Sequence, residues 1–222
     1  MNLKICGIRH LSEIRLLNQF ARDSRTLKYF GVILFFPKSH RNISLSQAKK
    51  ILAEKSPRLQ SVAVVVDPTE EQLEEIRDAG FDVVQIHGTL PTLPPSYPLP
   101  VWKAFNGDEV RDLDVYRSNP LIQGFVFDNG DPGSGMTHNW NDLVGIRHAI
   151  GARMFILAGG LNPGNLASAH EILSPDLADV SSGVEKIDRT GKDPAHPDAL
   201  EDRPGLRGQD RGEPKCHADA DE

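Results

Sequence analysis

The chain has 222 residues, with 25 lysines and arginines against 31 aspartates and glutamates and a formal net charge of −6. That balance repels nucleic acid and anionic membranes, so neither is expected as a partner. No apolar run approaches the roughly 20 residues of a membrane span, and the opening MNLKICGIRH lacks the apolar stretch of a secretory signal, so a cytoplasmic location is expected.

Short apolar, β-branched runs recur along the chain at Leu3 to Cys6, Phe30 to Phe35, Val62 to Val66, Val83 to Ile86, Val101 to Ala104, Phe125 to Phe127, Phe155 to Ala158 and Leu177 to Val180. Most are too continuously apolar for a sheet with one wet face, and helical periodicity separates many of them. The pattern predicts a parallel sheet covered by helices. Eight such units in a chain of this length predict one closed α/β barrel, a (β/α)8 TIM barrel. Ser44 with Gln47 three residues on predicts a capping box before Ala48, Ile51 and Leu52. In Asp67-Pro68-Thr69-Glu70, Asp67 is the expected cap and Pro68 the first helical residue, with Gly80 closing the helix in a left-handed conformation. Asn162-Pro163 is expected to open a further helix in the same way. Thr89 to Pro100 is too rich in proline for more than a brief helical turn, and the segment after Trp102-Lys103-Ala104-Phe105 is weakly patterned, so the fourth and fifth units should be trimmed.

From Pro194 to Glu222 there are four prolines, many charges and no apolar helical stripe. The expected division is a barrel over 1–193 with a degraded or missing last helix, and a disordered tail over 194–222. Without its final helix the barrel would expose apolar surface to solvent or to a partner chain, and either a monomer or a homodimer is compatible with this.

In a barrel of this type catalytic groups sit at the carboxyl ends of the strands. Cys6 ends the first run and Asp128 the sixth, so both should face one central pocket. The other cysteine, Cys216, lies in the charged tail, which argues against a disulfide framework and leaves Cys6 to be explained as a thiol. With a reference pKa near 8.5, a thiol becomes a usable base with modest electrostatic help. Lys4 shares its face of the strand but at about two residues' rise, roughly 7 Å away, and is expected to point away from it. By residue type alone Cys6 also reads as a small buried core residue and Asp128 as a turn cap before Asn129-Gly130. Gln85 is expected to be a buried hydrogen-bonding residue. His87 reads either as pocket-facing or as a satisfied structural residue.

Three glycine-containing loops follow the sixth, seventh and eighth runs: Asp131-Pro132-Gly133-Ser134-Gly135, Ala158-Gly159-Gly160-Leu161-Asn162 and Ser181-Ser182-Gly183-Val184. Successive backbone N–H groups in such loops can cradle an anion, and this quarter of a barrel is the recurrent phosphate site.

Five motifs in order then resemble the phosphoribosylanthranilate isomerase family of tryptophan biosynthesis. They are Lys4-Ile5-Cys6-Gly7, Phe36-Pro37-Lys38-Ser39-His40-Arg41, Val84-Gln85-Ile86-His87-Gly88, Leu157-Ala158-Gly159-Gly160-Leu161-Asn162 with Asn165, and Asp179-Val180-Ser181-Ser182-Gly183-Val184-Glu185. Gly191-Lys192-Asp193 is similar to the family's closing signature, so the match runs from about residue 3 to 193. The resemblance implies an Amadori rearrangement of N-(5-phosphoribosyl)anthranilate, an aldose–ketose isomerisation with no cofactor and no metal. It implies Asp128 as general acid and Cys6 as general base. It also implies substrate contacts from Arg41 to the anthranilate carboxylate, from His87, and from Gly133, Ser134, Gly135, Gly159, Gly160, Ser182 and Gly183. The alternatives are a paralogue that binds a phosphosugar without turning it over, a sibling phosphosugar barrel of the tryptophan or histidine pathway, and a purely structural barrel.

Overall fold

The computed structural model describes residues 1–128 and 140–185. Gly133, Ser134, Gly135, Cys216, the 191–193 signature and the tail over 194–222 lie outside the described residues. Eight strands form one closed parallel barrel in sequence order: β1 (Asn2–Ile5), β2 (Leu27–Ile33), β3 (Gln60–Val66), β4 (Val83–His87), β5 (Val101–Asn106), β6 (Ile122–Asp128), β7 (Met154–Ala158) and β8 (Leu177–Val180). The ring closes where β1 pairs with β8 in the register Asn2 with Leu177, Lys4 with Asp179 and Ile5 with Val180.

Alternation along each strand sends one set of side chains into the barrel and the other towards the helices. Inside lie Cys6, Val62, Val64, Val83, Trp102, Ala104, Val126, Ile156, Ala158 and Leu177. Outside, Phe105, Phe125, Phe127 and Phe155 are fully buried in a chain of ring contacts with centroids 5.4 to 5.9 Å apart. The helices that cover this layer are α1 (Leu11–Asp23), α2 (Leu45–Glu54), α3 (Glu70–Ala79), α4 (Leu113–Tyr116), α5 (Ile146–Ile150) and α6 (Leu166–Leu173). The fourth and fifth units are trimmed, as their proline content and weak patterning respectively predict. No helix joins β4 to β5, and β5 is followed by a 3-10 turn over Gly107–Asp112 and the four-residue α4. No helix among the described residues is long and apolar enough to cross a membrane.

Three local expectations are corrected. Thr69, not Asp67, caps α3: its hydroxyl accepts from Gln72 N–H and the Gln72 side chain reaches back to Thr69 N–H. Asp67 instead adopts φ 46° at the end of β3 and its carboxylate accepts from Thr89 N–H at 2.7 Å, clamping the loop after β4. At α2 the Ser44 cap forms, but the box does not, because Gln47 Nε2 donates to the carbonyl of Arg9. Helix α6 begins at Leu166 rather than after Asn162; Asn162 builds a turn in which its carboxamide accepts from Gly164 N–H.

The aromatic chain outside the sheet carries much of the packing, and Phe127 sits at its centre. Phe127→Ala should cost about 3–5 kcal/mol as a cavity opens between sheet and helices. Urea unfolding of the two proteins would show this as a lower midpoint at unchanged slope; a loss under about 1 kcal/mol would mean the layer collapses around the deletion.

Candidate active site

A concave site of about 540 Å³ opens at the carboxyl end of the barrel, and every strand contributes its end to the lining: Cys6, Ile33, Val66, His87, Asn106, Asp128, Ala158 and Ser181. Cys6 and Asp128 therefore share one cavity. Arg41, His87, Gly159, Gly160 and Ser182 also line it, as the sequence implied. Gly183 is absent from the lining. Its role is close approach between two loops, since a β-carbon there would lie 2.1 Å from the carbonyl oxygen of Leu161. Ser182–Val184 itself forms a 3-10 turn at the end of β8.

Cys6 is held by its backbone at the seam that closes the barrel. Its N–H donates to Val180 O at 2.8 Å, and Ser181 Oγ donates to its carbonyl at 3.2 Å. Next in sequence, Gly7 takes φ 80°, and a β-carbon there would meet Arg41 Cδ at 2.5 Å. Only glycine lets the Arg41 stem lie across this turn, beside the thiol. The guanidinium then pairs bidentately with Glu185, Nε to Oε1 at 2.6 Å and Nη2 to Oε2 at 2.7 Å. These bonds hold its pKa above the usual arginine value against the cost of burial. Glu185 was not among the expected site residues. Its partner lies 144 positions away, and only the closed barrel brings the two together.

Below the mouth lies a buried polar cluster that the strand pattern hinted at, in charged or amide residues at inward positions of apolar strands. Lys4 is fully buried; its ammonium donates to Asp179 Oδ2 at 2.5 Å and to Gln85 Oε1 at 3.0 Å. Burial alone would pull the Lys4 pKa down, yet it stands above the ordinary lysine value because of the Asp179 charge and the adjacent Cys6 thiol. Lys4 thus points towards Cys6, contrary to the expectation from strand spacing. The flexible four-carbon stem spans the gap, and Gly31 leaves room for it: a β-carbon at Gly31 would lie 2.7 Å from Cys6 Sγ and 3.2 Å from Lys4 Nζ.

This cluster also fixes a tautomer. An ammonium can only donate, so the Gln85 oxygen must face Lys4 and the Gln85 amide nitrogen must face His87 Nε2, 3.0 Å away. His87 Nε2 is then an acceptor and the ring proton sits on Nδ1, with Asn106 as its further side-chain partner. Burial, and then the fields of Lys4 and Lys103, push the His87 pKa down to about 4, so the ring is neutral at physiological pH.

The model of the N-(5'-phosphoribosyl)anthranilate (PRA) isomerase family matches residues 3–194. The chain belongs to this family. The N-(5'-phosphoribosyl)anthranilate isomerase of Cereibacter sphaeroides is 34% identical over 209 residues, covering 88% of this chain and 94% of that protein. That of Clostridium kluyveri is 34% identical over 191 residues, covering 83% and 89%. Among solved structures, monomers generated from the dimeric Thermotoga maritima enzyme superpose with a TM-score of 0.72 at 29% identity, covering 90% of this chain and 96% of that one. A family structure in complex with reduced 1-(o-carboxyphenylamino)-1-deoxyribulose 5-phosphate gives 0.70 at 28% identity, with the same coverage.

The His87 shift has a measurable consequence. The unfolded chain binds a proton at the ordinary histidine pKa of 6.5, whereas the folded chain resists protonation down to about 4. The group's contribution is therefore intact above pH 6.5 and lost as pH falls towards 4. Between pH 7 and pH 5 this should remove about 2 kcal/mol of stability. Denaturant unfolding at both pH values, compared between the wild type and His87→Gln, isolates the term; equal losses in the two proteins would contradict it.

Proposed function

We propose that the protein catalyses the Amadori rearrangement of N-(5'-phosphoribosyl)anthranilate to 1-(2-carboxyphenylamino)-1-deoxyribulose 5-phosphate, with Asp128 as general acid and Cys6 as general base. The observation that carries this reading is that a thiol and a carboxyl, from opposite sides of the barrel, line the same cavity in a member of this family.

The chemistry needs the two groups in different protonation states. Asp128 protonates the furanose ring oxygen, so the C1–O bond breaks as the nitrogen lone pair forms a Schiff base. Cys6, as thiolate, then takes the proton from C2, and the electrons of that C–H bond move through C1 to nitrogen, giving an enolamine. Transfer of a proton to C1, with loss of the proton on the C2 hydroxyl, yields the neutral aminoketose. Apart from opening of the C1–O ring bond, every step is a proton transfer within one substrate and the overall change is an isomerisation, so the balance of atoms and electrons requires no cofactor or metal.

Binding follows from charge and loop geometry. Arg41 already holds the Glu185 carboxylate through its Nε–Nη2 edge, which orients the guanidinium and leaves Nη1 to meet the anthranilate carboxylate. Gly159, Gly160 and Ser182 at the ends of β7 and β8 border the region for the phosphate, together with Gly133, Ser134 and Gly135 by resemblance. Gly183 supports them by letting the two loops touch. Neutral His87 lines the cavity beside the sugar without adding charge, its ring held by Gln85 and Asn106. A small phosphosugar as partner and a cytoplasmic location are both consistent with this reading.

Loss of phosphoribosylanthranilate fluorescence on adding purified protein tests the activity. Cys6→Ala and Asp128→Asn should each reduce turnover by about a hundredfold or more at unchanged fold. Wild-type rates in either variant would remove that residue from the mechanism, and no turnover by the intact protein would favour a phosphosugar-binding paralogue.

A further inference from the structure

We propose that Lys4 is a positioning residue whose ammonium acts as the internal counter-ion of the Cys6 thiolate, with Asp179 setting how much of its charge the thiol feels. The inference deepens the reading of Cys6 as a base and rests on it.

Burying an ion pair beneath an active site adds little stability compared with a packed apolar pair, so a lysine and an aspartate at the middle of an apolar barrel need another explanation. Lys4 is fully buried and Asp179 is 7% exposed, the two paired across the β1–β8 seam at 2.5 Å. The pair keeps the ammonium charged despite its burial. Its position then matters. Lys4 Nζ and Cys6 Sγ lie on the same side of Gly31, at 3.2 and 2.7 Å from the point that a β-carbon there would occupy. Thiol and ammonium interact by both charge and hydrogen bonding. Interaction of this kind is mutual: whatever the thiolate does to keep Lys4 protonated, Lys4 does to keep Cys6 deprotonated.

Other ionisable groups around the thiol do not supply this field as directly. Arg41, in the loop after β2, feels the thiol's charge but is neutralised by its bidentate pair with Glu185 after β8. Across the cavity, Asp128 on β6 would disfavour a second anion when ionised, and His87 on β4 is neutral. Asp179 on β8 opposes the thiolate by its own charge, and its Oδ1 is buried without a hydrogen-bond partner. The carboxylate therefore acts as a brake: it holds the ammonium in place while offsetting part of its attraction for sulfur.

Two variants of the full chain move the thiol in opposite directions. Replacing both charges in Lys4→Met/Asp179→Leu keeps the interior apolar and filled. Asp179→Asn keeps the ammonium and leaves the thiolate to serve as its counter-ion. The readout is the pH dependence of iodoacetamide alkylation at Cys6, followed by peptide mass so that Cys216 does not interfere, alongside the acid limb of kcat/KM. The double variant should raise the alkylation midpoint by about one pH unit or more, and Asp179→Asn should lower it; the acid limb of kcat/KM should move with it. A merely structural role would leave both midpoints at the wild-type value in folded protein, and that result would overturn the proposal even where Cys6→Ala abolishes turnover. Should the double variant fail to fold, an unchanged or raised midpoint in Asp179→Asn alone overturns it. Full turnover in Cys6→Ala would instead sink the role of the thiol as base, while the midpoints would still report the Lys4 contact.

Discussion

The seam between β1 and β8 is the constraint on which the site depends. Closing the ring there places Lys4 opposite Asp179 and hands the Cys6 N–H to Val180 O. From that one pairing the cluster propagates upward: the ammonium orients Gln85, Gln85 orients the His87 ring, and Ser181 holds the carbonyl of Cys6. A buried charge left without its partner typically costs about 3–5 kcal/mol, which makes this arrangement all-or-none. Groups fixed by such a network do not have to reorganise when charge moves in the reaction, and that is the main way a protein lowers the barrier for a proton transfer.

In the proposed mechanism the cavity also separates two tasks that one environment could not serve. A thiolate wants a nearby cation, and a carboxylic acid that must donate a proton wants distance from one. The barrel meets both demands by putting the cationic groups Lys4 and Arg41 on the β1 and β2 side and Asp128 at the end of β6, across the ring.

Much of the fold was legible because barrel strands are buried on both faces and so read as short apolar runs that recur in register with the helices. The eight runs correspond to the eight strands to within a few residues, and the proline-rich stretch before Val101 correctly marked a connection without a helix. Placement of Cys6 and Asp128 followed from strand ends alone. What failed was local or long-range. Asp67 and Asn162 look like helix caps because their side chains readily accept from nearby N–H groups, but here the same capacity serves a clamp on the next loop and a turn. The orientation of Lys4 was misjudged because strand spacing fixes the distance between α-carbons and not where a flexible stem ends; the missing information was the empty space at Gly31 on the neighbouring strand. Arg41 and Glu185 are far apart in sequence and on unlike motifs, so their pairing could be found only after the ring was closed.

The central claim is that one cavity brings a thiol, a carboxyl and the phosphate loops to a single sugar. A crystal structure of the protein soaked with the reduced product 1-(o-carboxyphenylamino)-1-deoxyribulose 5-phosphate tests it most directly. The account predicts the ribulose chain between Cys6 Sγ and the Asp128 carboxyl, with the phosphate against Gly159, Gly160 and Ser182. Density for the ligand outside the barrel mouth, or with the phosphate on the β2–β4 side, would contradict it.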